Sequence, residues 1–325
     1  MHIIIPDDYQ DVVRTLDCFK LLAGHEVTVY NETVTETEEL ARRFATADVL
    51  VLTRERTAIT EALLSKLPNL KLISQTGKIA NHLDLDACTR HHVAVAEGVG
   101  SPVAPAELAW ALIMNAARQL PQAIQAMKEG KWQVNIGSSI KGKLTGIWGY
   151  GKIGKRIAAY AKAFEADVIV WGSESSRKLA EADGFMVAAS KQDFFSRADI
   201  VSLHLRLTET TKSIVKANDL ALIKPEAILV NISRAELVEE GALEVALQNG
   251  RPGFAALDVY ESEPIYDQNH PLLQMPNVIC TPHLGYVEKN SYELYFRKAF
   301  ENIISFAEGQ PANIANPEVL KTAPF

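Results

Sequence analysis

Residues 144–154 read Leu144-Thr145-Gly146-Ile147-Trp148-Gly149-Tyr150-Gly151-Lys152-Ile153-Gly154. The first five form an apolar run that predicts a β-strand. Gly149, Gly151 and Gly154 then fall in the spacing G-x-G-x-x-G. Beyond them, Ile157, Ala158 and Ala161 share one side of a predicted helix with Ile153. The spacing alone is weak, but a strand before it and a helix after it are the context that gives it meaning. Gly149 would allow a tight turn, Gly151 would let the backbone approach a pyrophosphate, and Gly154 would let helix and strand pack closely. The helix start, with Lys152 and Ile153, then offers free N–H groups and a partial positive charge to phosphate oxygens. The alternative is a glycine-rich turn that holds no ligand.

A second strand is predicted over residues 168–171, and an acid reading a ribose 2′-hydroxyl belongs at its end. Gly172 stands there, followed by Ser173 and Glu174. Glu174 as that acid favours NAD, whereas Ser173, Ser176 and Arg177 around a 2′-phosphate favour NADP. A carboxylate repels phosphate, so NAD is the expected coenzyme and NADP the alternative. Glu174 as a plain solvated charge is the competing reading of that residue.

Outward from this motif, the chain has 325 residues, 33 basic and 40 acidic, for a net charge of −7. That length suggests about two domains. At 47% hydrophobic and 22% charged, it is too apolar for disorder. An acidic balance without a long Lys/Arg block argues against nucleic acid as a partner. Cys18, Cys88 and Cys280 are too few and scattered for a disulfide framework or a Cys-rich metal site, and no metal is expected. No apolar run reaches the roughly 18 residues of a membrane span. The start, Met1-His2-Ile3-Ile4-Ile5-Pro6, lacks a basic region and a cleavage site, so it reads as a strand, and a cytoplasmic location is expected.

Strands are predicted over residues 2–5, 26–30, 48–52, 71–74 and 93–96, with helices over 37–45 and 58–66 between some of them. A second series covers 144–148, 168–171, 199–205, 227–232, 254–259 and 278–281. Long helices are predicted over 102–118 and about 288–308. Alternating strands and helices imply mostly parallel sheets covered on both faces. Two such units make a ligand cleft between them the natural expectation.

Three residues of the second series follow predicted strand ends, the edge at which open α/β sheets bind ligands. They are Arg234 in Asn231-Ile232-Ser233-Arg234, Glu263 in Glu261-Ser262-Glu263-Pro264, and His283 in Thr281-Pro282-His283. A guanidinium can hold a carboxylate with two parallel hydrogen bonds. An imidazole moves a proton near neutral pH, and a carboxylate on its second nitrogen fixes the tautomer. Singly, each has a structural reading: an ion-pair partner, a residue before a proline turn, a structural histidine. The three together suit hydride transfer to a ketone, which needs a proton donor and a stabiliser of alkoxide charge.

These motifs, with His204-Leu205-Arg206-Leu207-Thr208-Glu209-Thr210-Thr211 and Leu257-Asp258-Val259-Tyr260, resemble those of the D-isomer-specific 2-hydroxyacid dehydrogenases over essentially the whole chain. Arg234, Glu263 and His283 lie in the family's order, separated by 29 and 20 residues. The resemblance implies an α/β protein of two Rossmann-like or flavodoxin-like parallel-sheet domains. A cofactor domain over 99–285 would be inserted into a discontinuous substrate domain of 1–98 and 286–325. It implies that Arg234 binds a small 2-oxo acid, His283 is the acid–base group, and Glu263 raises its pKa. Asp258 would hold the nicotinamide carboxamide, Thr211 would reach the pyrophosphate region, and His204 and Ile232 would border the cofactor. Thr76-Gly77-Lys78-Ile79 matches the loop whose backbone amides take the substrate carboxylate, and a homodimer through the cofactor domain is implied.

The chain departs from the family pattern at several positions. Lys78 and Ile79 stand where a small apolar residue and a second glycine are usual, so Lys78 is read either as an added positive charge near substrate or as a solvated lysine. Arg206 replaces a proline, Ala235 a glycine, Pro105 a valine and Gly172 the ribose-binding Asp. The implied activity is reduction of a small 2-oxo acid such as glyoxylate or hydroxypyruvate to a D-2-hydroxy acid, or the reverse with a glycerate-like acid. The alternatives are an NAD(H)-binding sensor or corepressor on the same scaffold and a phosphonate-oxidising relative. Formate-oxidising members pair the histidine with Gln, so Glu263 speaks against that chemistry.

Overall fold

A computed structural model describes residues 1–321 of the chain. The final four positions of the expected segment 286–325 lie outside the described residues. Two compact units emerge: one from residues 1–101 and the described part of 288–325, the other from Pro102–Val287. The chain therefore builds most of the first unit, then all of the second, and returns.

The first unit holds five parallel strands: β1 (His2–Ile5), β2 (Glu26–Val29), β3 (Val49–Leu52), β4 (Leu72–Gln75) and β5 (Ala94–Ala96), in the order β2-β1-β3-β4-β5. Every residue of β3 and β4 is buried, as befits strands covered on both faces. Helix Thr37–Phe44 buries Leu40, Ala41 and Phe44, with acids in its first turn and arginines in its last, the arrangement its dipole favours. The helix expected over 58–66 forms only at Glu61–Leu64. Thr60 accepts a hydrogen bond from the Leu63 N–H and so sets the start, and Ser65 ends it.

Helix Lys289–Ala307 starts where the Glu288 carboxylate accepts from the N–H groups of Asn290 and Ser291. It buries Tyr292, Phe296, Ala299, Phe300 and Ile303, a helical repeat of apolar positions. It is pinned to β4 by the Ser74 hydroxyl, which donates to the Ala299 carbonyl at 2.8 Å. The returning chain then pairs with β5. Buried Asn316 accepts from the Val95 N–H at 2.9 Å and donates to the Val93 carbonyl at 2.9 Å, while the Ala315 N–H donates to the Val95 carbonyl.

The second unit is a seven-stranded parallel sheet. Its strands are β6 (Leu144–Trp148), β7 (Asp167–Trp171), β8 (Met186–Val187), β9 (Ile200–Leu203), β10 (Ile228–Asn231), β11 (Phe254–Leu257) and β12 (Val278–Cys280). Their order is β12-β11-β10-β9-β6-β7-β8, which reverses direction between β6 and β9. β8 has two residues, too few for an apolar pattern to show. Helix Val103–Arg118 buries Ala106, Ala109, Trp110, Ile113 and Ala117, and Trp110 meets the Tyr160 ring at 6.1 Å. Gln119 then takes a left-handed backbone and a further helix, Leu120–Lys128, follows that periodicity did not anticipate. It and the segment after it leave Ile124, Met127, Trp132 and Ile136 exposed, Ile136 at 94%.

Among the described residues no helix is long and apolar enough to cross a membrane. Asn316→Ala strands the Val95 N–H and the Val93 carbonyl in the interior. It should cost about 2–4 kcal/mol, read as a lower urea midpoint with an unchanged slope. An unchanged midpoint would show that the returning segment is not held by Asn316.

Candidate active site

The parallel register of the second unit sets out its site. Trp148 pairs with Trp171 and Leu203, Leu203 with Asn231, Asn231 with Leu257, and Leu257 with Cys280. The residues one step further, Gly149, Gly172, His204, Ile232, Asp258 and Thr281, therefore share one edge of the sheet. It is the C-terminal edge, and the β6–β9 reversal of strand order lies on it, the place where open α/β sheets take ligands.

At the end of β6, Gly149 has φ +101°, and a Cβ there would run into the His204 carbonyl. A Cβ on Gly154 would run into the Gly149 carbonyl, so the helix Lys152–Ala163 can lie close only because Gly154 lacks one. Gly151 differs: a Cβ there would meet no atom within 4 Å. The helix beginning at Lys152 and Ile153 has no side-chain cap, which leaves its first amides to face whatever fills that space. Tyr150 turns inward and its hydroxyl donates to Asp183 at 3.0 Å. An open glycine and uncapped amides fit the pyrophosphate of a dinucleotide.

Beside this turn, His204 has its Nε2 2.9 Å from the Ser202 hydroxyl. Its Nδ1 is shut from solvent and has no hydrogen-bond partner among the described residues. Burial lowers the imidazole pKa to about 4, so it is neutral at pH 7. Gly172 has φ +154° and lies beside Gly149. Ser173 caps helix Glu174–Ala182 by accepting from the Ser176 N–H. Glu174, exposed at the first position of that helix, is drawn along it to Lys178 at 2.6 Å. The Arg177 guanidinium lies over the Trp171 ring at 4.9 Å. Thr211 closes the 206–211 loop, its hydroxyl donating to the Arg206 carbonyl at 2.6 Å and accepting from the Thr208 N–H at 2.8 Å. Ile232 is buried in the core at the end of β10.

Glu263 and His283 meet directly. His283 Nδ1 lies 2.6 Å from one Glu263 oxygen, and the Tyr260 N–H donates to the other at 2.9 Å. The side chains keep 22% and 18% exposure, so the pair is sheltered but reachable. His283 takes a left-handed backbone at φ +52°. The turn carrying it closes around the buried Asp258, which accepts from the Thr281 hydroxyl at 2.6 Å, the Leu284 N–H at 2.7 Å and the Gly285 N–H at 2.8 Å. Burial pushes the Asp258 pKa up, against the pull of these donors and of His283. The Tyr260 hydroxyl donates to the Thr281 carbonyl at 2.9 Å, tying the Glu263 loop to the His283 turn. Arg234 follows β10 on the same edge. Asn231 holds its backbone, donating to the Arg234 carbonyl at 2.8 Å, and the guanidinium donates to the Ser233 carbonyl at 2.6 Å.

In the first unit, the Thr76 hydroxyl donates to the Leu52 carbonyl at 2.9 Å and accepts from the Arg54 N–H at 2.9 Å. Lys78 is paired with Glu97 at 2.6 Å, and the other Glu97 oxygen accepts from the Ile79 N–H at 3.2 Å. The Lys78 charge is thus met by a carboxylate 19 positions on, just after β5. A cation that sequence reasoning missed lies closer: the Arg54 guanidinium occupies the space a Cβ on Gly77 would need and faces the Tyr295 ring at 5.8 Å. Arg54 comes two residues after β3, the position relative to a strand end that singled out Arg234, and the same test applied to the first series would have found it.

Comparison with known proteins points one way. The family described as D-isomer specific 2-hydroxyacid dehydrogenase, NAD binding domain, matches residues 110–285. The chain is 36% identical over 270 residues to a glyoxylate reductase of Aeropyrum pernix, covering 80% of each. It is 37% identical to a D-3-phosphoglycerate dehydrogenase of Methanocaldococcus jannaschii over 76% of this chain, but spans only 47% of that longer protein. A solved structure of a phosphoglycerate oxidoreductase from Vibrio cholerae o395 superposes with a TM-score of 0.93 at 54% identity, over 95% of this chain and 99% of that one.

The sealed imidazole of His204 has a consequence for stability. An unfolded chain takes a proton on this side chain near its usual pKa of 6.5, but the folded chain does so only near 4. Acidification from pH 6.5 towards 4 therefore favours unfolding through this group, and the loss is complete below both values. Thermal melts across that range should fall less steeply for His204→Gln than for the wild type. Parallel slopes would mean that His204 is not sealed as described.

Proposed function

The chain belongs to the D-isomer specific 2-hydroxyacid dehydrogenase family, NAD-binding oxidoreductases acting on the CH–OH group of 2-hydroxy acids, and on that premise we propose that Arg234, Glu263 and His283 are its catalytic groups in reducing small 2-oxo acids to D-2-hydroxy acids. Glyoxylate and hydroxypyruvate are the substrates we put first. The observation carrying this reading is the 2.6 Å contact of Glu263 with His283 on the sheet edge that also bears the glycine turn.

Bound NAD(H) supplies or removes the hydride at the substrate carbon. In reduction, protonated His283 gives the proton on Nε2 to the carbonyl oxygen. Nδ1 cannot compete, because its hydrogen is held by Glu263. In oxidation the neutral Nε2 takes the hydroxyl proton back. Glu263 is oriented for this by the Tyr260 N–H, and the Asp258-centred turn fixes the His283 backbone. Arg234, permanently charged, binds the 2-oxo acid and opposes the negative charge that builds on oxygen.

The coenzyme's place in this reading is the turn of Gly149, Gly151, Lys152, Ile153 and Gly154. His204, Thr211, Ile232 and Asp258 border it, and Ser173 and Glu174 stand at the ribose. In the first unit, the amides of the Thr76-Gly77-Lys78 loop are assigned to a substrate carboxylate, with Arg54 rather than Lys78 as the cation beside them. Trp132 and Ile136, exposed on the cofactor-binding unit, support a homodimer formed with a second copy. The free thiols of Cys18, Cys88 and Cys280 suit the reducing cytoplasm.

The test is oxidation of NADH and NADPH by the purified chain with glyoxylate, hydroxypyruvate, pyruvate and 2-oxoglutarate. Turnover with a small 2-oxo acid is expected, and His283→Ala should lower kcat by about 10²- to 10⁴-fold. In the same assay Arg54→Gln should raise KM by about 10- to 100-fold, while Lys78→Met leaves it within about twofold, the ordinary scale for an exposed ion pair. Tight NADH binding without turnover on any acid would favour a sensor instead. Light scattering should return twice the chain mass, and Trp132→Lys with Ile136→Lys should return a monomer; a monomeric wild type would overturn the dimer.

A further inference from the structure

Glu263 grips the His283 imidazole at one atom only, Nδ1. A single hydrogen bond leaves the ring free to rock about the line joining it to the carboxylate, and that motion swings Nε2, the atom that must meet the substrate oxygen. A second restraint is present. The turn closed by Asp258 brings the Tyr286 ring back against His283, with centroids 5.8 Å apart and planes at 71°. Tyr286 is 7% exposed, so its own ring is held by packing. Edge-to-face aromatic contacts at this separation are attractive, worth up to about a tenfold preference between two ring orientations.

We propose that Tyr286 is a positioning residue that fixes the plane of the His283 imidazole, so that Glu263 sets which nitrogen faces substrate and Tyr286 sets where it points. The turn makes the contact possible: with Leu284 and Gly285 both donating to Asp258, and the Val287 N–H donating to the Leu284 carbonyl, the backbone between the two rings has no freedom to separate them. Glu263 binds His283 and Asp258 lies within reach of its charge, and neither restrains the ring's rotation as a packed ring does. The ring carries this role rather than the hydroxyl, so phenylalanine should serve equally.

The inference rests on the reading of His283 as the acid–base group, and its test separates the two. Tyr286→Phe and Tyr286→Ala are compared with wild type in three measurements: kcat and KM for glyoxylate or hydroxypyruvate, NADH affinity by fluorescence, and the ring C–H signals of carbon-13-labelled histidine, with His283→Gln assigning the resonance. Tyr286→Ala should lower kcat by about fivefold to tenfold with KM and NADH affinity within about twofold, and should move and broaden the His283 signal. Tyr286→Phe should keep both the rate and the signal. Should Tyr286→Ala melt before assay, Tyr286→Leu carries the same expectation, since it fills the space without an aromatic ring. Unchanged kcat in the alanine variant, a raised KM with kcat kept, or failure of phenylalanine to restore the rate would each overturn the proposal. A wild type without turnover would count against His283 as the acid–base group, whereas the NMR comparison reads the ring contact regardless of turnover.

Discussion

Everything in the second unit depends on parallel strands ending in step. Hydrogen-bonded register brings Trp148, Trp171, Leu203, Asn231, Leu257 and Cys280 to one level. Parallel strands all present the same end, so the loops after them crowd together while the crossovers return on the far side. Residues from 149 to 283 in the sequence are gathered there. Gly149 and Gly154, where a Cβ would run into a backbone carbonyl, let the loop after β6 sit down on that edge.

A buried carboxylate then converts the edge into a shaped site. Asp258 is fully buried, and three donors from the turn after β12 converge on it. A carboxylate taken from water demands such donors, so its burial compels the 281–285 turn to close. The left-handed backbone of His283 is one result, and its meeting with Glu263 is another. Tyr260 joins the two loops through its N–H and its hydroxyl. The Glu263–His283 pair is thus held by main-chain constraints on both sides.

Much of the fold is legible in the sequence. The sheet class shows in apolar runs such as residues 49–52, because strands buried on both faces carry mostly apolar side chains. Arg234, Glu263 and His283 stand out because each follows such a run. Short or covered elements escape: β8 has only two residues, and the helix Leu120–Lys128 keeps an apolar face in the open. Partner choice escapes too. Nothing local says that Lys78 pairs with Glu97, 19 positions on, or that Arg54 lies on Gly77. Those are decided by tertiary packing, which brings together residues whose sequence separation carries no signal.

In the proposed function the space beside Gly151 belongs to the coenzyme. A Cβ at Gly151 meets no protein atom within 4 Å, and its φ of −90° lies on the side of φ that residues with a side chain adopt. Gly151→Val should therefore fold like the wild type and clash only with what binds there. Fluorescence titration with NADH, run beside a thermal melt, measures both. An unchanged melting temperature with NADH affinity lowered by at least about tenfold is the predicted result. Wild-type affinity for NADH in a folded Gly151→Val chain would contradict it.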